Sequence, residues 1–251
     1  MRNTIRRCLA VAGALAVAGL TSTNVSQAAE APVRPAITAA SIQPASGSVV
    51  GVGYPVTVTF TAPVADRAAA ERGIGIASSG NTAGRFSWIS PEVVQWVPDG
   101  FWPAHSTVRV DAHGLSTGFE TGDAVLGVAD ISDHTFTVSV NGETLRVMPA
   151  SMGKPKRPTP IGSFTALSKE RTIKFDSRTI GIPLNDPEGY LLDGQYAVRV
   201  TWGGVYVHSA PWSVDSQGYA NVSHGCINLS PDNAAWYFDT VHLGDPIIVQ
   251  A

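Results

Sequence analysis

The sequence predicts a mainly β protein built from two successive strand-rich halves behind an export leader. Three observations carry that expectation. Apolar and polar residues alternate over short stretches, Gly 25 and Pro 17 punctuate the chain with turns, and one segment alone carries the signals of a full helix. The 251 residues are 44% hydrophobic and 15% charged, which allows a packed core and excludes wholesale disorder.

The leader comes first. Arg2, Arg6 and Arg7 precede an apolar run from Cys8 to Leu20, and Ser26-Gln27-Ala28-Ala29 supplies small residues for cleavage. That order is a secretory signal peptide over residues 1–29, and its apolar run is shorter than the roughly 20 residues a bilayer needs. The expected location is outside the cytoplasmic membrane, with the Sec or Tat route left open by Arg6-Arg7. Of 17 basic residues, removing the three leader arginines leaves 14 against 20 acidic ones, a balance that argues against nucleic acid as a partner. Removal also leaves Cys226 as the sole cysteine, so no internal disulfide is expected.

Residues 30–40 lack periodicity and are expected to form a flexible tail. A β-sandwich domain is then expected over residues 41–125. Val56-Thr57-Val58-Thr59-Phe60, Phe86 to Ile89, Val93 to Val97 and Thr107 to Asp111 alternate as half-buried strands do, and Asp66 to Arg72 suits one helical turn. His105 and His113 stand apart from other titratable groups and have the look of ordinary surface histidines. A Gly/Ala/Asp segment from Gly122 to Asp130 marks the boundary.

The second domain is expected over residues 129–251. Asn141-Gly142 between Thr135–Val140 and Glu143–Met148 is a hairpin signal, because both turn residues tolerate positive φ. Tyr196–Thr201 and Val205–Val207, joined through Gly203-Gly204, form a second hairpin that delivers His208. Ser230 as N-cap, Pro231 at the first helical position and Asp232 at the positive end of the dipole open the one good helix. Pro246 to Val249 makes a last strand.

The chemistry gathers around His208-Ser209-Ala210-Pro211-Trp212-Ser213 and Ser223-His224-Gly225-Cys226-Ile227-Asn228. A thiol becomes a nucleophile once deprotonated, and a neighbouring imidazole is the usual base. His208 ends an apolar strand that can fix its ring. His224 lies two residues from Cys226, where Gly225 suggests a bend whose amides could hold an oxyanion. The pattern alone leaves open which histidine is the base. Zinc on Cys226, His224 and His208 would lack a fourth ligand of suitable spacing, so no metal is expected. A core cysteine with incidental histidines is the bland alternative.

Ser223-His224-Gly225-Cys226-Ile227-Asn228, with His208 fourteen residues ahead of Ser223, resembles the signature of the YkuD-type L,D-transpeptidase catalytic domain. Ser151 to Lys154 and Pro158 to Phe164 resemble its other hallmark, and Ser230 to Phe238 resembles the two-domain actinobacterial members, which carry an immunoglobulin-like module ahead of the catalytic domain. The resemblance implies that Cys226 attacks a peptidoglycan stem tetrapeptide after its third residue and expels D-alanine. His208 would serve as base, steadied by the main-chain carbonyl of Ser209. The amides of Gly225 and Cys226, with the Tyr190 hydroxyl, would hold the oxyanion. His224 and Asn228 would shape the pocket and contact substrate, as would Ser223, while Gly203 and Gly204 would let a peptide approach.

Trp212 is either a packing residue or a substrate contact. A diaminopimelate amine as acceptor would give a 3→3 cross-link, and water would give an L,D-carboxypeptidase. The implied setting is the cell wall, with carbapenem-type β-lactams as covalent inhibitors and no cofactor. A non-catalytic wall-binding protein is the alternative of a different class, although such a module has no need of Cys226 or His208. Residues 146–178 concentrate Arg146, Lys154, Lys156, Arg157, Lys169, Arg171, Lys174 and Arg178, either to attract an anionic polymer or as a solvated face. The chain ends at Ala251, where members of the two-domain group commonly continue with a tail packed on the catalytic domain.

Overall fold

A computed structural model describes residues Ala36–Ala251, so the expected signal peptide and most of the expected tail lie outside the described residues. In the first module the strands are β1 (Ala39–Gln43), β2 (Val49–Val50), β3 (Val56–Phe60), β4 (Ile74–Ser78), β5 (Gly84–Trp88), β6 (Val93–Pro98), β7 (Thr107–Ala112) and β8 (Leu115–Thr121). They form two four-stranded sheets, ordered β1-β3-β6-β5 and β2-β8-β7-β4. Helix α1 (Arg67–Arg72) is one short element capped by Asp66, whose carboxylate accepts from Ala69 N–H at 3.0 Å.

The alternation does what period two requires: Val56, Val58 and Phe60 of β3 and Val108, Val110 and Ala112 of β7 turn into one core. Trp96 and Trp102 stack there at 5.0 Å, and the buried indole N–H of Trp102 is satisfied by Tyr54 O at 2.8 Å. His113 is no ordinary surface histidine. Its ring meets Phe60 edge-on at 5.5 Å and its Nε2 bonds Ala70 O at 2.8 Å, closing the end of α1.

The second module comprises β9 (Val125–Asp130), β10 (Thr135–Val140), β11 (Glu143–Pro149), β12 (Gly162–Thr165), β13 (Lys169–Asp176), β14 (Leu191–Arg199), β15 (Tyr206–Ser209), β16 (Ile227–Leu229) and β17 (Pro246–Gln250), with α2 (Pro231–Thr240). A five-stranded sheet, β11-β10-β9-β17-β12, and a four-stranded sheet, β13-β14-β15-β16, contribute to one core. Phe136 and Val138 of β10 meet Val207, Ile227 and Leu229 of β15 and β16 in it, with Tyr237 of α2 edge-on to Phe136 at 4.8 Å. Burying each such large apolar side chain contributes about 1.5–3 kcal/mol. Among the described residues no helix is long and apolar enough to cross a membrane.

Two expected boundaries move. The segment Gly122–Asp130 is not a linker throughout, because Val125–Asp130 is β9, a central strand with Val125, Gly127 and Ala129 facing the core. Its glycine and alanines hid the strand from composition. Gly127 is there because the Phe136 ring occupies the space a side chain would need. At the other end β1 begins at Ala39, inside the stretch expected to be tail, since pairing with β3 recruits it.

The modules join through main chain. Gly51 N–H donates to Leu243 O at 2.7 Å and Gly53 N–H to Gly244 O at 2.9 Å. The fully buried Asp245 accepts from Val52 N–H at 3.2 Å and His242 N–H at 2.8 Å. A Cβ at Gly51 would collide with the Asp245 backbone, so this approach requires glycine.

Candidate active site

Strand β15 is wholly buried, and its two faces do different things. Val207 points into the core. Tyr206 and His208 turn the other way, where both rings meet Phe175 of β13, at 5.4 and 4.5 Å between centroids. Parallel pairing with β16 sets Val207 beside Ile227, His208 beside Asn228 and Ser209 beside Leu229. Ile227 and Leu229 join the core, so Asn228 and the residue before the strand, Cys226, share the side of His208. Register brings the two sequence motifs together.

The His208 ring has a defined tautomer. Its Nδ1 lies 2.8 Å from Ser209 O, and a carbonyl only accepts, so the proton sits on Nδ1 and Nε2 is the basic atom. Of the two histidines, this one has the fixed geometry of a base. Burial lowers its pKa to about 4, partly opposed by the bond to Ser209, so the ring is neutral near pH 7.

The loop carrying the thiol is tied from within. Ser223 Oγ accepts from Gly225 N–H at 3.1 Å and donates to Cys226 O at 2.7 Å. Thr159 Oγ1 donates to Gly225 O at 2.9 Å and accepts from Gly153 N–H at 2.9 Å. Gly225 holds φ +119°, a region side chains rarely adopt. Asn228 Nδ2 donates to Ser213 Oγ at 3.1 Å, which binds β16 to the 3-10 segment Pro211–Ser216 that presents Trp212.

Cys226 is half-buried, and its Sγ–H points to Gly204 O at 3.7 Å. Burial pushes the thiol up to about 11, with the Tyr206 N–H pulling the other way. Among the described residues no hydrogen bond joins Cys226 to His208; the two groups face one cavity.

That cavity, of about 380 Å³, is lined by Cys226, His208, His224, Tyr190, Trp212 and Asn228, with Ser223, Phe175, Lys154 and the Pro187–Gly189 turn. Gly203 and Gly204 are not in its lining. Gly204 contributes instead the carbonyl that accepts a long hydrogen bond from the Cys226 S–H. Gly225 N–H is taken by Ser223, so of the two amides expected for an oxyanion only that of Cys226 lacks an acceptor among the described residues. Trp212 is 52% exposed with its ring 5.9 Å from His208, which suits a contact to a bound molecule better than packing. Among the described residues no group of three or more His, Cys, Asp or Glu is placed to hold a metal ion.

Sequence reasoning missed Ser213, Thr159, Phe175 and Glu188. Ser213 and Thr159 lie inside the motifs already singled out, but their partners are 15 and 66 residues away along the chain. The basic run of residues 146–178 is largely engaged. Lys154, Lys174 and Arg178 pair with carboxylates, and Arg146, Lys169 and Arg171 lie over aromatic rings.

Comparison with known proteins matches the model of the L,D-transpeptidase catalytic domain to residues 125–249 and that of a bacterial Ig domain to residues 14–116. The chain is 62% identical over 249 residues to L,D-transpeptidase 1 of Mycobacterium tuberculosis, covering 99% of each. Among solved structures it is similar to an LD transpeptidase in complex with imipenem, at 68% identity and TM-score 0.82 over 86% of this chain and 100% of that one. It is also similar to L,D-transpeptidase 3 of Mycobacterium tuberculosis with a faropenem-derived adduct, at 52% identity and TM-score 0.79 over 85% and 98%.

Proposed function

The chain belongs to the L,D-transpeptidase family, and from that footing we propose that it cross-links peptidoglycan stem peptides through a thioester on Cys226 with His208 as base. The observation that carries the residue assignment is a cavity shared by the one cysteine outside the leader and an imidazole whose Nδ1 proton is committed to Ser209 O.

In the first step Sγ attacks the carbonyl carbon after the third residue of a donor tetrapeptide while its proton passes to Nε2 of His208. The tetrahedral oxyanion is held by the Cys226 amide and the Tyr190 hydroxyl. The C–N bond to the terminal D-alanine breaks, the leaving nitrogen takes the proton from Nε2, and a thioester remains. In the second step a diaminopimelate amine attacks the thioester, its proton goes to Nε2, and the C–S bond breaks with return of that proton to sulfur. The product is a 3→3 link. Ser209 acts through its carbonyl, Ser223 and Gly225 set the bend, and Asn228 braces β16 against the Trp212 segment.

The relatives seen with imipenem and with a faropenem-derived adduct make carbapenem-type β-lactams the expected covalent inhibitors, acylating Cys226. The arginine-led apolar leader supports export, with action in the cell wall outside the cytoplasmic membrane.

Incubation of the protein with a disaccharide-tetrapeptide is expected to yield cross-linked dimer with release of D-alanine, read by mass spectrometry. Tripeptide without dimer would replace transpeptidation by L,D-carboxypeptidase action from the same site. Unchanged substrate would overturn the assignment.

A further inference from the structure

One charged cluster in the cavity is not used by the mechanism above. Lys154 leaves the main chain beside the nucleophile loop, where its N–H donates to Ser223 O at 3.0 Å and Gly153 bridges to Ser223. Its Nζ lies 2.7 Å from Glu188 Oε1 and 3.3 Å from His224 Nε2. All three side chains are largely withdrawn from solvent, at 24%, 28% and 20% exposure. Glu188 belongs to the turn ahead of Tyr190 and is itself fixed, its N–H donating to Asp186 Oδ1 at 2.8 Å.

The chemistry of the contact is directional. An ammonium has only protons to give, so Nε2 of His224 must offer its lone pair, and the ring is neutral with its hydrogen on Nδ1. A protonated ring would set an Nε2–H against the ammonium. Its nearest alternative would be Glu188 Oε2 at 3.8 Å, which would draw the ring away from its present orientation.

We propose that Lys154 is a positioning residue of the acyl-transfer site: held by Glu188, its ammonium donates to Nε2 of His224 and keeps that ring neutral and in one orientation directly ahead of Gly225 and Cys226. The same clamp ties the turn that carries Tyr190 to the loop that carries the nucleophile. The proposal rests on Cys226 being that nucleophile.

The surroundings of His224 agree. Partial burial, then Lys154 and Arg157, lower its pKa, and Glu188 alone among the carboxylates opposes them. Lys156 reaches only the far oxygen of Glu188, at 4.0 Å, and the Tyr190 ring covers His224 at 5.1 Å. Replacing the ammonium therefore makes the imidazolium easier to form, and replacing the carboxylate makes it harder.

The test is the pH profile of D-alanine release for the wild-type protein, Lys154→Met, Lys154→Arg and Glu188→Gln, each checked for unaltered thermal unfolding. In Lys154→Met the acid limb is expected to move to higher pH, with kcat about tenfold lower at pH 6 and KM changed less. Lys154→Arg is expected to restore the wild-type limb, and Glu188→Gln to move it to lower pH. Profiles of unchanged shape, or both charge-removing variants moving the same way, would overturn the proposal. In the unmodified protein, imidazole ¹⁵N shifts should report hydrogen on Nδ1 of His224, and hydrogen on Nε2 would equally overturn it. Should the wild-type protein itself form no acyl-enzyme, the nucleophile assignment fails instead, an outcome distinct from an active protein indifferent to Lys154.

Discussion

Cys226→Ala is expected to lower D-alanine release from a donor tetrapeptide by about 10⁴-fold or more, with thermal unfolding nearly unchanged. The size of the effect follows from covalent catalysis. Without sulfur there is no thioester, and what remains is binding and oxyanion stabilisation with nothing to attack. The small effect on stability follows from the site. Cys226 is half-buried at the cavity, its polar contacts are a long bond to Gly204 O and the Tyr206 N–H, and the loop is held by Ser223 and Thr159 whichever side chain stands at 226. Turnover of the alanine variant above about one percent of wild type would mean that another group carries the acyl chain.

His208→Gln is expected to lower kcat by about 10²–10⁴-fold and to change how the rate depends on pH. Burial pushes the thiol up to about 11, four pH units above neutrality, so about one molecule in 10⁴ is thiolate at pH 7 without help. Burial also takes His208 down to about 4, so it is available as a base throughout the neutral range. The sign follows from both shifts. His208 itself should be competent from above pH 4 upward, because neutral imidazole removes the proton as attack proceeds, and a wild-type acid limb above that pH belongs to His224. The glutamine variant should depend on pre-formed thiolate and gain about tenfold per pH unit toward pH 11. Initial rates from pH 5 to 10 separate the two. A glutamine variant with the wild-type profile would remove His208 from the role of base.

Much of this molecule was open to reading before any coordinates. Val56–Phe60, Thr135–Val140 and the Ser230-Pro231-Asp232 helix start carry local signals strong enough to survive tertiary context, and each appears where its residues place it. The pairing of His208 with the Cys226 loop is legible as a motif, and the family resemblance points to His208 as base, but the residue pattern alone leaves the choice between His208 and His224 open, because it depends on a carbonyl one residue away turning toward Nδ1. β9 was hidden for the opposite reason: Gly127 and Ala129 are small because the Phe136 ring and the core need the room, and small residues look like linker. The Gly203-Gly204 turn has a second use that its residue types do not announce. A thiol resting on a main-chain carbonyl leaves no trace in residue types. Glu188 and His224 lie 34 and 70 residues along the chain from Lys154, so their cluster exists only once Gly153 and Lys154 pair with Ser223 and the turn before β14 closes over them.

The most direct measurement is rapid quenching of the wild-type protein with donor tetrapeptide, followed by peptide mapping of the acylated chain. An acyl group should be found on the peptide containing Cys226, at a level that rises and decays faster than dimer accumulates. Dimer formed with Cys226 unmodified at every time point, or with the acyl group on another residue, would contradict the account.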